Sequence, residues 1–165
     1  MIRTYYELTK PGIVYSNILV AAAGFFYASV GILGGKIDWI LGFWMLIGLA
    51  CVIASACVFN NYLDRNLDAK MERTKERALA SGKISNRNAL IFGAILLVAG
   101  VKILFIFTNL LTLSVALAGF LVYVLLYSPL KPRTPYALFV GAIAGAMPPV
   151  VGYAAVTNTL NSTAL

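Results

Sequence analysis

The sequence predicts an all-α membrane protein in which five apolar helices cross a bilayer. Three observations carry this prediction. The chain is 61% apolar and only 12% charged over its 165 residues, where soluble domains carry about 25% charged residues, and its mean hydropathy is +0.86. The apolar residues are gathered into five runs, each near the length of about 20 residues that a spanning helix needs. The charged residues lie between those runs. Helices are the expected form because a backbone in hydrocarbon must satisfy its own hydrogen bonds.

The first predicted span, 13–33, follows Arg3, Glu7 and Lys10. It is longer than the apolar core of a signal peptide and is read as a retained helix. Thr9 is the expected cap, ahead of Pro11, and Gly34-Gly35 the expected stop. The second span, 39–59, carries Cys51 and Cys57. Six positions apart on a helix, these two cysteines face nearly opposite ways, so packing is expected of them and not a disulfide or metal clip. The third and fourth spans, 89–107 and 110–127, are separated by Thr108-Asn109 and form a hairpin; Ser128-Pro129 is the expected stop of the fourth. The fifth, 136–156, is expected to start from a Thr134 cap with Pro135 in its first turn. Within it, Gly141-x-x-x-Gly145 predicts a close helix approach, and Pro148-Pro149 predicts a kink.

The thirteen bases are unevenly shared. Arg3 and Lys10 precede span one. Arg65, Lys70, Arg73, Lys75, Arg77, Lys83 and Arg87 lie in the 60–88 loop, and Lys131 and Arg133 in the 128–135 loop. Five crossings put these eleven on one side, against Lys36 and Lys102. The positive-inside rule then makes the N-terminus and both of those loops cytoplasmic, in an inner or cell membrane. It also accounts for much of the net charge of +7, so nucleic acid is excluded as a partner. Anionic lipid headgroups suffice for Lys70, Lys75, Lys83 and Arg87. The chain has no histidine, which excludes His-ligated metals and His-based catalysis from its residues.

Topology does not account for the acids. Four of the six, Asp64, Asp68, Glu72 and Glu76, fall within thirteen positions. The stretch is "CVFNNYLDRNLDAKMERTKER", residues 57–77. Asn60, Asp64 and Asp68 are spaced by four, and at about 100° per residue they share one helix stripe, provided the helix runs on to Asp68. An amide oxygen and two carboxylates are the hard-oxygen donors that Mg²⁺ prefers, with water and phosphate filling its other positions; Asn61 lies beside the stripe. Arg73 and Arg77 follow, again four apart, and guanidinium forks suit phosphate oxygens. Together they suit a diphosphate, whose departure needs its charge neutralised. Three classes fit: a metal-dependent transferase, a transporter whose acids bind a translocated cation, and an assembly subunit whose acids only pair with bases. A transporter would favour carboxylates near the bilayer midplane, whereas these lie at a mouth.

The stretches "LTKPGIVYSN", "ASACVFNNYLDR", "FNNYLDRNLDAKMERTKERAL" and "YSPLKPRTPYALFVGAIAGAMPPVVGYAAVT" resemble the UbiA-type intramembrane prenyltransferases. Within these, they look most like the branch that farnesylates protohaem IX. The resemblance covers nearly the whole chain. It implies an all-helical bundle of about nine spans around a central cavity. It implies transfer of a farnesyl group from farnesyl diphosphate to the 2-vinyl group of haem b, giving haem O for terminal oxidases, with Mg²⁺ bridging the diphosphate to two aspartate-rich motifs. Carried over by position, Asn60, Asp64 and Asp68 match the first metal motif, with Asp64 and Asp68 catalytic. Arg73 and Arg77 match the bases that follow it, and Lys10, Lys131 and Tyr127 match further diphosphate positions. The implied partners are farnesyl diphosphate, haem b and membrane lipids, extending to haem A synthase or terminal-oxidase assembly. Phe25, Phe26, Tyr27, Phe43 and Trp44 are candidates for the wall along the farnesyl tail. No Asp or Glu follows Tyr127, so the second acidic motif is expected outside this chain, which then reads as an N-terminal half that is inactive alone.

Overall fold

The computed structural model describes residues 2–160. They form six helices: α1 (Ile2–Leu8), α2 (Pro11–Ile32), α3 (Trp39–Asp68), α4 (Asn86–Phe107), α5 (Leu110–Leu130) and α6 (Ala137–Thr157). There is no strand among the described residues. The last five helices are each long and apolar enough to cross a membrane, and the chain is an all-α integral membrane protein.

Several boundaries differ from the sequence reading. α3 runs nine residues past the predicted end of span two, so 60–68 is helix and not loop. α4 begins at Asn86, within the predicted loop. α5 continues through Ser128-Pro129 to Leu130, because a π-helical stretch, Val122–Tyr127, delivers the chain into a last helical turn where Pro129 needs no donor. Thr9 does not cap α2. Its hydroxyl turns back to donate to the Tyr6 carbonyl at 2.7 Å, and the residue before the helix is Lys10 in the left-handed region, φ 52°. Thr134 accepts from the Tyr136 amide at 3.3 Å, but α6 starts at Ala137, with Pro135 ahead of its first turn. Gly34 and Gly35 do close α2, at φ 69° and 93°, where a side chain would be strained. Asp38, Ser85 and Asn109 cap α3, α4 and α5, each accepting from backbone amides of the first turn.

The spans are held by backbone-close crossings. A Cβ on Gly152 of α6 would lie 2.0 Å from the Ala21 carbonyl oxygen of α2, and one on Gly24 of α2 would lie 2.1 Å from the Pro149 oxygen of α6. The predicted small-residue approach on α6 is therefore made one to two turns later than Gly141-x-x-x-Gly145. Gly141 meets the Tyr127 ring, while nothing lies within 4 Å of a Cβ on Gly145. The helix runs unbroken through Pro148-Pro149, and the Pro149 carbonyl is the surface that Gly24 abuts. α3 and α4 meet in the same manner, with a Cβ on Gly100 falling 2.8 Å from the Gly48 oxygen. Asn109 joins the α4–α5 turn to the end of α6 by donating to the Ala154 carbonyl at 2.8 Å. Cys51 and Cys57 are free thiols, Cys57 buried.

Because the obstacle at Gly152 is backbone, Gly152→Val forces α2 and α6 apart. An overpacking cost of about 1–3 kcal/mol is expected, read as a lower midpoint of thermal unfolding in detergent. Gly145→Ala, which meets open space, should not lower that midpoint, since alanine is the better residue in a helix interior.

Candidate functional site

The thirty residues of α3 exceed what a bilayer crossing requires, and the surplus is the polar motif. Continuation of the helix to Asp68 puts Asn60, Asp64 and Asp68 on one face. All three are buried, 1%, 4% and 4% exposed. A charged group so placed must be paired, and each of the three meets a base from a different part of the chain. Lys10, at the α1–α2 turn, donates from Nζ to Asn60 Oδ1 at 2.5 Å. Lys131, just past α5, donates to Asp64 Oδ2 at 3.2 Å. Arg77 donates from Nη1 to both oxygens of Asp68, at 2.9 and 2.8 Å. The three segments predicted to carry eleven of the thirteen bases thus converge at one end of the bundle.

Neighbouring polar groups fix this arrangement. Asn60 Nδ2 donates to Asp64 Oδ2 at 3.2 Å and to Ser128 Oγ at 2.9 Å. Ser128 Oγ in turn donates to the Tyr123 carbonyl at 2.9 Å. Thr74 Oγ1 donates to the Asp68 carbonyl at 3.1 Å, turning the chain so that Arg77 faces back to Asp68. The loop is pinned beneath by an apolar cluster of Leu8, Val58, Ala78, Leu79, Ile84 and Ala89. Lys10 pays for its place with a left-handed backbone, of the order of 1–2 kcal/mol for a residue with a side chain. Burial pulls its ammonium below the ordinary lysine range; Arg77 and Lys131 pull the same way, while the Cys57 thiol and Asp64 oppose them.

Beside the clamp is a hollow of about 300 Å³, lined by the bases Lys10, Arg73 and Arg77, the acids Glu7 and Glu76, and Asn61. The exposed Arg73, four residues from Arg77, joins it there. Asn61 donates to the Leu8 carbonyl at 2.8 Å, but its Oδ1 is buried without a hydrogen-bond partner. Tyr127 stands aside. Its ring lies against Gly141 and stacks on Tyr123 at 5.3 Å, and no hydrogen bond joins its hydroxyl to the clamp among the described residues. Two other bases of the loop make exposed contacts, Lys75 with Glu72 at 2.7 Å and Lys83 with Glu76 at 3.4 Å.

A second, apolar cavity of about 140 Å³ opens between α2, α3, α5 and α6, with Ile53, Cys57, Phe120, Tyr123 and Met147 in its wall. None of the five aromatic residues predicted for a tail wall lines it. Phe25 is spent against Gly42, Trp44 stacks on Phe107, Tyr27 stacks on Tyr153, and Phe26 and Phe43 are exposed. The aromatic residues in its wall are Phe120 and Tyr123. Sequence reading also missed Ser128 and Thr74. Small hydroxyls carry no spacing signal, and Ser128 before Pro129 reads in sequence as a helix stop.

The donor chemistry fits Mg²⁺. Asn60, Asp64 and Asp68 offer hard oxygens and no imidazole or thiolate, and among the described residues Asp64 Oδ1 and Asn61 Oδ1 accept no hydrogen bond. No group of three or more His, Cys, Asp or Glu able to hold a metal is found among the described residues. The two carboxylates would therefore leave most positions to water and phosphate.

Comparison with known proteins agrees with this reading of the fold. The sequence pattern of the UbiA prenyltransferase family matches residues 13–165. A protoheme IX farnesyltransferase of Protochlamydia amoebophila (strain UWE25) is 47% identical over 161 residues, covering 98% of this chain and 56% of that protein. Another, of Cronobacter sakazakii (strain ATCC BAA-894), is 44% identical over 166 residues, covering 100% of this chain and 55% of that protein. The chain thus spans about half the length of the curated relatives it matches. Among solved structures, a UbiA homolog from Archaeoglobus fulgidus bound to GPP and Mg²⁺ superposes with a TM-score of 0.79 at 18% identity, over 96% of this chain and 56% of that one. A digeranylgeranylglyceryl phosphate synthase structure gives 0.80 at 24% identity, over 92% and 52%.

The left-handed backbone at Lys10 can be separated from its ammonium. Lys10→Gly and Lys10→Ala both remove the hydrogen bond to Asn60, but only glycine takes φ 52° without strain. The glycine variant should therefore be the more stable of the two by roughly 0.5–1 kcal/mol in chemical unfolding of the detergent-solubilised chain.

Proposed function

The chain belongs to the UbiA prenyltransferase family, and from that premise we propose that it supplies the first metal and diphosphate clamp of a protohaem IX farnesyltransferase. The observation that carries this reading is the stripe of Asn60, Asp64 and Asp68, buried at the end of a membrane helix and met by bases from three separate segments. Relatives at 47% and 44% identity bearing that name support the choice of reaction.

In this proposal Asp64 and Asp68, with Asn60, hold Mg²⁺, and Lys10, Arg73, Arg77 and Lys131 hold the diphosphate of farnesyl diphosphate. When bound, the metal supplies positive charge against the departing diphosphate. The guanidinium and ammonium groups share that load through charge-assisted hydrogen bonds to the phosphate oxygens. The C1–O bond breaks, diphosphate leaves with the electron pair, and the 2-vinyl carbon of haem b attacks the farnesyl carbon. Water then adds to the resulting cation and loses a proton, leaving the hydroxyl of haem O. The apolar cavity beside Tyr123 takes the start of the isoprenoid chain and keeps bulk water from it. Tyr127 acts through its stack on Tyr123 and not by touching phosphate. Orientation follows the eleven bases, with the clamp on the cytoplasmic side. Haem O serves terminal oxidases directly or as a haem A precursor, and haem A synthase and oxidase assembly are the partners this implies.

The test uses this chain extended by the C-terminal portion of a curated relative, in cells lacking haem O. Production of haem O is expected, and Asp64→Asn with Asp68→Asn should reduce it by about 10²- to 10³-fold at unchanged membrane levels. Full haem O with both aspartates replaced would reject the assignment. The 165-residue chain by itself is expected to make none.

A further inference from the structure

Three of the four bases that the proposed function gives to the diphosphate now hold the oxygens it gives to the metal. Lys10 is on Asn60 Oδ1, Lys131 on Asp64 Oδ2, and Arg77 on both oxygens of Asp68. Each contact occupies an oxygen that a divalent cation could use, leaving Asp64 Oδ1 open among the described residues. A Mg²⁺ at its usual ligand distance of about 2.1 Å would share the oxygen with an ammonium or guanidinium nitrogen about 3 Å from it. Two like charges would then lie within a few ångströms in a buried site, where screening by water and salt is weak. Two of the bases have a second destination. Lys10 and Arg77 line the hollow beside the clamp, with Arg73 and the acids Glu7 and Glu76. The side chains of Arg77 and Lys131 are part-exposed at contacts whose acid partners are not: 37% for Arg77 against 6% for Asp68, and 43% for Lys131 against 5% for Asp64. The acids are fixed on a helix, and the bases sit on turns and long flexible stems.

We propose that the clamp is charge-locked: Lys131 and Arg77 bar a divalent cation from Asp64 and Asp68 until a diphosphate anion draws them away. This rests on the proposed function, since it takes the acids as metal ligands and the bases as diphosphate ligands. It adds an order of events and a coupling. Metal alone binds weakly because it must displace Arg77 from Asp68 and enter Asp64 beside the Lys131 ammonium. A diphosphate in the hollow, which Arg77 lines and Lys131 meets only by leaving Asp64, offers both bases a multiply charged partner, releases the carboxylates, and brings its own oxygens to the cation. By linkage, the metal raises affinity for the anion by the same factor. Opening of a water-sensitive allylic diphosphate site to metal is thereby restricted to the moment when its substrate is present.

The lock makes predictions of opposite sign for the two ligands, which general damage to the site does not. The 165-residue chain in detergent is titrated with Mn²⁺ alone, with free Mn²⁺ counted by electron paramagnetic resonance. It is separately titrated with labelled pyrophosphate in EDTA by equilibrium dialysis. Lys131→Met and Arg77→Met, which keep bulk and remove charge, should each bind Mn²⁺ at least about tenfold tighter than the parent chain and pyrophosphate at least about tenfold weaker. Two variants on separate segments guard against one of them misfolding. Unchanged or weaker Mn²⁺ binding in both variants, with pyrophosphate binding intact in the parent, overturns the lock and leaves the clamp standing. A parent chain that binds no pyrophosphate, together with variants that bind no Mn²⁺, overturns the clamp itself and the lock with it.

Discussion

Two carboxylates are buried at the end of an apolar helix, and most of the polar structure around them follows from that one cost. Taking a carboxylate out of water costs several kcal/mol even after the surroundings relax. At 4% exposure neither Asp64 nor Asp68 keeps a shell of water. Each must be met by a cation, and no base on α3 itself can do it, because Arg65 turns away to the Tyr62 carbonyl at 2.6 Å and its guanidinium lies over the Tyr62 ring. The partners are therefore brought from a distance in sequence: Arg77 nine residues on and Lys131 sixty-seven on. The turn at Thr74, the apolar cluster under the 69–85 segment and the extra turn of α5 are the means by which those two bases arrive.

Bringing a base from a remote span to within 3 Å of a fixed carboxylate requires that the spans do not drift. The lipid supplies no hydrophobic force to press helices together, so rigidity comes from close backbone contact. The crossings at Gly24, Gly152, Gly48 and Gly100 supply it. These lie away from the clamp, among the apolar core residues Ala21, Phe25, Leu49, Val52 and Val151. The division of labour is clean: glycines and small residues set helix separation in the membrane, and long basic side chains span the last few ångströms at its edge.

The five spans were legible because length and hydropathy alone decide them, and the clamp because a four-residue period survives wherever a helix does. The extension of α3 to Asp68 was the one condition, and nothing in residues 60–68 breaks a helix. What the sequence hid was of two kinds. Backbone geometry without a side-chain signature was invisible: the left-handed Lys10, which looks like an ordinary residue before a proline, and the π-helical stretch Val122–Tyr127. Competition among equivalent candidates also defeated it. Gly141 and Gly145 were as eligible for a close approach as Gly152, and Phe25 as eligible for a cavity wall as Phe120. The rotational setting of each helix chooses between them, and an all-apolar helix gives no amphipathic stripe from which to read that setting.

The π-helical stretch explains why the clamp and the apolar cavity touch. In a π turn the Ser128 amide bonds to the Tyr123 carbonyl, five residues back, so one extra residue is accommodated and the face presented after it shifts by about 100° relative to an uninterrupted α-helix. Tyr123, at the start of the stretch, is left facing the cavity. Ser128, just after it, is turned to Asn60, and its hydroxyl joins the two by donating to the Tyr123 carbonyl while accepting from the Asn60 amide. On the facing helix, Cys57 in the cavity wall and Asn60 in the clamp are three residues apart, less than one turn. The boundary between a site for charge and a site for hydrocarbon is therefore one helical turn thick on both sides. That is the separation the proposed substrate requires, since its charged diphosphate is bonded directly to its first isoprenoid carbon.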